Sequence, residues 1–195
     1  MPSLRRSFLI FLALALVMIA TRLPGLAGNL HLHDASWAIF FIAGFYLADS
    51  WRWAFPSLMA CAVGIDFLAI QYYGISNYCV TIAYWFLVPA YGALWLGGRW
   101  LSRHESIDAR GLVRLALSAL AAVSVCFLIS NGSFYWLGGR VAAPAWQGWV
   151  ANLATWYWPF VSTSLAYLAI AALAHCLLAR RLPVQRISAR AAPGR

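Results

Sequence analysis

The short polar stretch Tyr72-Tyr73-Gly74-Ile75-Ser76-Asn77-Tyr78-Cys79 lies between two strongly apolar segments and ends on a cysteine. Free cysteine is commonly a small buried apolar residue, and that reading stays open for Cys79. The polar Ser76-Asn77-Tyr78 context, at the expected start of a helix, favours a second one. Backbone N–H groups and the helix dipole at such a start favour a thiolate, and a thiolate is a soft ligand suited to transition metals. The site is expected to bind a metal centre that the ligand itself supplies. Cys61 and Cys126 fall inside apolar segments, and Cys176 lies near the end of the last one. With no C-x-x-C spacing, neither a disulfide framework nor a structural zinc site is suggested.

Asp66 is the costliest residue in the chain, a carboxylate inside an apolar segment. Counting back from Tyr73 at about 1.5 Å per residue puts it ~10 Å below the segment end. Tyr84 falls ~7–8 Å into the next segment on the same scale, so the two share a depth beneath Cys79 if their helices face each other. An intramembrane carboxylate usually marks a polar cavity or a relay; the plainer alternative is an aspartate satisfied by a nearby Tyr or Ser to fix helix packing. His31-Leu32-His33-Asp34 is a second metal candidate. Alternate residues of an extended loop point to opposite sides, however, and Asp34-Ala35-Ser36 also fits a helix cap. His175, beside Cys176, is expected at an interface only. The aromatic set Phe134, Tyr135, Trp136, Trp146, Trp149, then Trp156, Tyr157 and Trp158, reads either as an ordinary interfacial belt or as the lining of a wide site for a flat ligand. In the second case Asn131, Arg140, Gln147 and Asn152 would supply hydrogen bonds to amide groups.

The elements that must position these residues are membrane elements. Of the 195 residues 64% are hydrophobic and 10% charged, where a soluble domain carries roughly a quarter charged. The mean hydropathy is +0.75, so lipid is the expected solvent, and no length remains for a soluble enzyme domain. A net charge of +9 invites a nucleic-acid partner. Yet every basic residue is an arginine, clustered at the N-terminus, in one loop and in the tail, as membrane orientation requires. Nucleic acid is therefore not expected.

Apolar periodicity and turn residues predict six spanning helices within a single domain, residues 1–178, followed by a basic tail, 179–195. The first covers about Ser7–Ala20 and continues past Arg22 to Pro24-Gly25. Its Met-Pro-Ser-Leu-Arg-Arg opening resembles a signal peptide, but removing it would leave an odd helix count and spoil the charge bias. The others are expected at Ala35–Ala48, Trp53–Tyr73, Val80–Leu96 (kinked at Pro89), Gly111–Ser130 and Val150–Leu178. The second is short. Fourteen residues rise only ~21 Å against a core of ~30 Å, so either it extends into its loops or the bilayer thins there. With both termini inside, twelve arginines lie on the inner face and only Arg22 and Arg140 on the outer. That asymmetry fixes both termini in the cytoplasm. The outer connections, Leu26–Asp34, Gly74–Cys79 and Asn131–Trp149, hold most of the unusual residues, so function is expected in the outer half. No internal repeat of the transporter kind is evident.

A six-helix membrane protein of this length with external binding loops resembles the substrate-binding S components of energy-coupling-factor vitamin transporters. Within that group the lone cysteine of Gly74-Ile75-Ser76-Asn77-Tyr78-Cys79 resembles that of the BtuM-type solitary vitamin B12 transporters of Gram-negative bacteria. The resemblance spans roughly residues 7–178. It implies cobalamin uptake across the bacterial inner membrane from a site facing the periplasm. It also implies that Cys79 is an axial ligand to the corrinoid cobalt, with loss of cyanide from cyanocobalamin when the thiolate coordinates. Asp66 and Tyr84 match polar positions of that pocket, and Asn77, Tyr78, Tyr135, Arg140 and Trp156 complete the expected binding set. S components of the standard kind carry Ala-x-x-x-Ala in the first helix for docking a shared subunit. Here Ala13, Ala15 and Ala20 have other spacings, which favours solitary function over an energy-coupling module. Three alternatives stand beside this reading: an S component for thiamin or riboflavin, a membrane oxidoreductase on haem, copper or quinone, and a purely structural bundle.

Overall fold

The computed structural model describes residues 2–30, 32–104, 106 and 108–181, and within these not the side chains of residues 2, 3, 30, 79 and 178–181. His31, the Cys79 side chain and the arginine-rich tail from residue 182 onward thus lie outside the described residues. The regular structure among the described residues is all helical: α1 (Pro2–Arg22), α2 (Pro24–Leu30), α3 (Ser36–Tyr46), α4 (Trp51–Tyr73), α5 (Leu87–Ser102), α6 (Ala109–Leu137) and α7 (Trp146–Arg181). Tight 3-10 turns occupy Ala48–Ser50, Asn77–Cys79 and Ile82–Phe86. Four helices, α1, α4, α6 and α7, are long and apolar enough to cross a bilayer. The chain is an all-helical membrane protein.

α3 is the centre of the bundle. It is only 11 residues long, and Trp37 through Phe41, with Ala43 and Gly44, are buried. A helix apolar on every side belongs inside other helices, and α3 touches α1, α4, α5, α6 and α7. The expected extension into flanking loops does not occur: α3 stops at Tyr46 and the Ala48–Ser50 turn leads into α4. Enclosed in this way, α3 needs no length matched to the bilayer. Its start is also deep. Trp37 packs on Phe127 of α6, with ring centroids 6.4 Å apart, and Phe127 sits about 15 Å along the helix from the α6 end at Leu137.

The α3–α5 contact is close because glycines face backbone. A Cβ on Gly44 would lie 2.1 Å from the Trp95 carbonyl oxygen, and one on Gly98 only 1.9 Å from that of Phe41. Tyr91 of α5 also packs on Phe40 of α3 at 4.4 Å between centroids.

Several expected boundaries are corrected. The first helix ends at Arg22 rather than running on to Gly25. Leu23 precedes a proline, which disfavours helical backbone, and Pro24 then opens α2 at a first position that suits it. The expected helix from Val80 begins instead as the 3-10 turn Ile82–Phe86, nucleated by the Thr81 hydroxyl accepting the Ala83 N–H. Pro89 therefore falls in the first turn of α5, where its missing N–H costs nothing, and accounts for no kink. The stretch Asn131–Trp149 was expected as one long connection, but α6 continues to Leu137 and α7 begins at Trp146. Poor helix formers find partners there: Asn131 Nδ2 donates to Asn152 Oδ1 at 2.6 Å, while its own Oδ1 has no partner among the described residues, and the Ser133 hydroxyl donates to the Ser130 carbonyl at 3.0 Å.

α6 opens on Asp108, whose carboxylate accepts the Gly111 N–H at 2.8 Å. That bond, with the Ser106 hydroxyl, holds the Asp108 carboxyl below its ordinary range. A lowered folded-state pKa stabilises the fold above the ordinary carboxylate range, and the contribution is lost as pH falls through the folded value. Asp108→Ala is expected to lower thermal stability in detergent at pH 7, with the difference from wild type shrinking as pH falls below the ordinary carboxylate range. Asp108→Asn, which still accepts the cap bond, keeps the stability and loses the pH dependence.

Candidate ligand site

The polar centre of the molecule is Arg22, the last residue of α1. Its side chain is only 12% exposed, turned inward at the level where α3 begins. The guanidinium grips Asp66 of α4 in two parallel bonds, Nε to Oδ1 and Nη2 to Oδ2, both 2.7 Å. Nη1 donates to Asp34 Oδ2 at 2.8 Å, to Ser36 Oγ at 2.9 Å and to the Tyr91 hydroxyl at 3.4 Å. Asp34 in turn accepts from both the backbone N–H and the hydroxyl of Ser36, fixing the entry to α3. One planar fork thus ties together α1, α3, α4 and α5. A bidentate carboxylate is what the rigid donors of arginine match best.

Tyr84 joins this centre as the sequence reading required. Its hydroxyl donates to Asp66 Oδ2 at 2.6 Å, so the helix carrying Asp66 and the 3-10 turn carrying Tyr84 do face each other. Asp66 is not an open acceptor, however, because Arg22 occupies both of its oxygens. In the sequence Arg22 reads only as one of two outer arginines. The usable signal was the carboxylate itself: a charge in an apolar helix needs a cation at its own depth.

The turn bearing Cys79 follows directly. α4 ends at Gly74, which takes the left-handed conformation (φ 65°) that favours glycine. The Ser76 hydroxyl accepts the Tyr78 N–H at 3.2 Å, and the Val80 N–H closes onto the Asn77 carbonyl at 2.9 Å. Cys79 is not at the start of an α-helix, since α5 begins only at Leu87. The expected pull of a long helix dipole on its thiol is therefore withdrawn. Asn77 and Tyr78 are exposed on this turn.

The remaining expected residues divide. Arg140, in the connection between α6 and α7, donates from Nε to the Tyr78 carbonyl at 3.2 Å and lies over the Tyr78 ring at 4.8 Å. Tyr135 is buried and spent on structure: its hydroxyl donates to the Ala145 carbonyl at 3.0 Å and accepts the Ala145 N–H. Trp156 is exposed on α7, against Phe160. Trp136, Trp146 and Trp149 form one cluster with centroids 5.3 to 6.3 Å apart. His33 is exposed and its carbonyl accepts from the Tyr167 hydroxyl at 2.7 Å. Among the described residues no three His, Cys, Asp or Glu side chains converge on a metal-sized site. A ligand that carries its own metal would ask for only one protein donor.

A cavity of about 330 Å³ lies elsewhere, with Phe41, Phe45, Leu115, Leu168 and His175 among its walls and Asp108 beside it. It lies at the α6 start, ~38 Å along the helix from Phe134, so it is at the opposite end from the Cys79 turn. Tyr46 meets His175 Nδ1 there at 2.5 Å. The chain matches no protein-family model and no curated protein.

Proposed function

We propose that the chain takes up cobalamin and related corrinoids across the bacterial inner membrane. In this reading it spans the membrane six times, with both termini in the cytoplasm and the Cys79 turn facing the periplasm. The observation that carries the reading is the Tyr84–Asp66 bond of 2.6 Å, which sets a polar floor under the two segments that flank the thiol. Six passages follow if the 3-10 turn Ile82–Phe86 and α5 count as one and the enclosed α3 as another. The arginine asymmetry then orients them. α1 supports solitary function: Ala15 and Met18 are turned inward, whereas Leu9, Leu12 and Leu16 are exposed. Bulky leucines suit lipid, and close helix docking needs small residues.

The expected chemistry is ligand exchange at the metal that the substrate brings. A sulfur–cobalt bond forms from Cys79, the cobalt–cyanide bond breaks with its electron pair, and cyanide leaves with the thiol proton. No electron is transferred in that exchange. Asp66 and Tyr84 contribute by holding the turn and the floor in register, while the exposed Asn77 offers the corrin a polar edge.

The test is the visible absorption of purified protein with cyanocobalamin, comparing wild type with Cys79→Ser. A shifted corrin spectrum and released cyanide in wild type, both lost in the variant, are expected. Unshifted vitamin retained by both proteins would remove the thiolate chemistry. No corrinoid bound by either would overturn the proposal and favour a different vitamin.

A further inference from the structure

Arg140 looks from the sequence like a ligand-binding cation, but its geometry gives it other work. α6 ends on Gly138-Gly139. Gly138 has no room for a side chain, since a Cβ there would lie 2.4 Å from the Phe134 carbonyl oxygen, and Gly139 is left-handed at φ 65°. Two glycines thus break the helix sharply and turn the next residue, Arg140, back over the α6 end. There the guanidinium meets Tyr78 twice, by the Nε bond to its carbonyl and by stacking over its ring. The other contact of the Tyr78 ring is Phe134, 5.5 Å away on the last turns of α6. The Tyr78 carbonyl belongs to the same peptide unit as the Cys79 N–H, so Arg140 holds the backbone of the cysteine itself.

We propose that Arg140 is a positioning residue: it clasps the Tyr78–Cys79 peptide to the end of α6 and so sets where the thiol is presented. The clasp rests on the corrinoid reading only for what the thiol then does. With Nε committed to the carbonyl and one face to the ring, Arg140 is held in place by this turn, and only its Nη donors remain for a ligand amide. Its effect on binding should pass through Cys79.

Two measurements decide this. Amide hydrogen exchange over residues 74–80 is expected to quicken about tenfold in Arg140→Ala, with exchange in α3 unchanged as an internal control. Arg140→Lys, which keeps a cation for the ring but lacks the planar fork, should recover only part of the protection. In parallel, cyanocobalamin affinity is compared for wild type, Arg140→Ala, Cys79→Ser and the double variant. A positioning role predicts a loss of about tenfold from Arg140→Ala in the wild-type background and none in the Cys79→Ser background, a non-additivity that marks action through the cysteine. Equal losses in both backgrounds would make Arg140 a direct ligand contact and overturn the proposal, as would unchanged exchange over 74–80. If wild type binds no corrinoid, the uptake reading fails, and the exchange measurement alone decides the clasp.

Discussion

Arg22→Ala is expected to destabilise the bundle by about 3–5 kcal/mol, read as a lowered unfolding midpoint in detergent with an added denaturant. The magnitude is that of breaking a mostly buried ion pair from one side. Asp66 would keep the Tyr84 hydroxyl and lose both charge-assisted bonds, leaving a carboxylate that is only 24% exposed without a cation. Asp34 suffers less because its side chain is 43% exposed and still holds Ser36. The two carboxylates should therefore separate in mutagenesis. Asp34→Asn is expected to cost no more than about 1 kcal/mol, in the range of exposed pairs, whereas Asp66→Leu alone should be nearly as severe as Arg22→Ala. Combining Arg22→Met with Asp66→Leu should recover part of the loss, since replacing both partners by apolar residues removes the stranded charge. If the double variant is no more stable than either single one, the guanidinium matters for Asp34 and Tyr91 more than for Asp66. A corrinoid-binding assay on the recovered double variant would then show whether the polar floor serves binding or only assembly.

The parts of this molecule that were legible in its sequence are those set by solvent. Apolar length against a bilayer located α4 almost to the residue, and the carboxylate at position 66 announced that something polar must share its depth. What could not be read was tertiary. The Ala35–Ala48 run looks like a spanning helix that is too short; only its enclosure by five neighbours explains why 11 residues suffice. Asn131-Gly132-Ser133 carries the composition of a loop, yet α6 runs through it because Asn152 and the Ser130 carbonyl take up the polar side chains. At the site, Asp66 and Tyr84 could be paired by depth alone. Arg22 could not, because an arginine at a helix end is ordinarily a surface charge, and only the tertiary fold turns its side chain inward. Tyr135 and Arg140 are residue types that commonly bind ligands; their commitments to Ala145 and Tyr78 depend on how the connection after Gly139 folds back.

Gly98 should tolerate no side chain at the α3–α5 crossing. Gly98→Ala is expected to lower stability by about 3 kcal/mol or more, at the upper end of overpacking costs. Its new Cβ would lie 1.9 Å from the Phe41 carbonyl oxygen, and what it meets is helix backbone rather than the end of a flexible side chain. Relief would require α5 to move away from α3. That shift would loosen Tyr91 against Phe40 and draw the Tyr91 hydroxyl from Arg22, so the packing fault would reach the polar centre as well. Gly44→Ala should behave alike, because its Cβ would meet the Trp95 backbone on the other side of the same crossing. Gly64→Ala provides the contrast. It lies in α4 with nothing within 4 Å of its added Cβ, so the same substitution should be neutral or stabilise by up to about 1 kcal/mol through helix propensity. Unfolding midpoints of the three variants in one detergent compare a single added methyl group in three settings. Equal effects at Gly98 and Gly64 would mean that α5 does not approach α3 as closely as its glycines allow, and that the Tyr91 link to Arg22 is set by something other than this crossing.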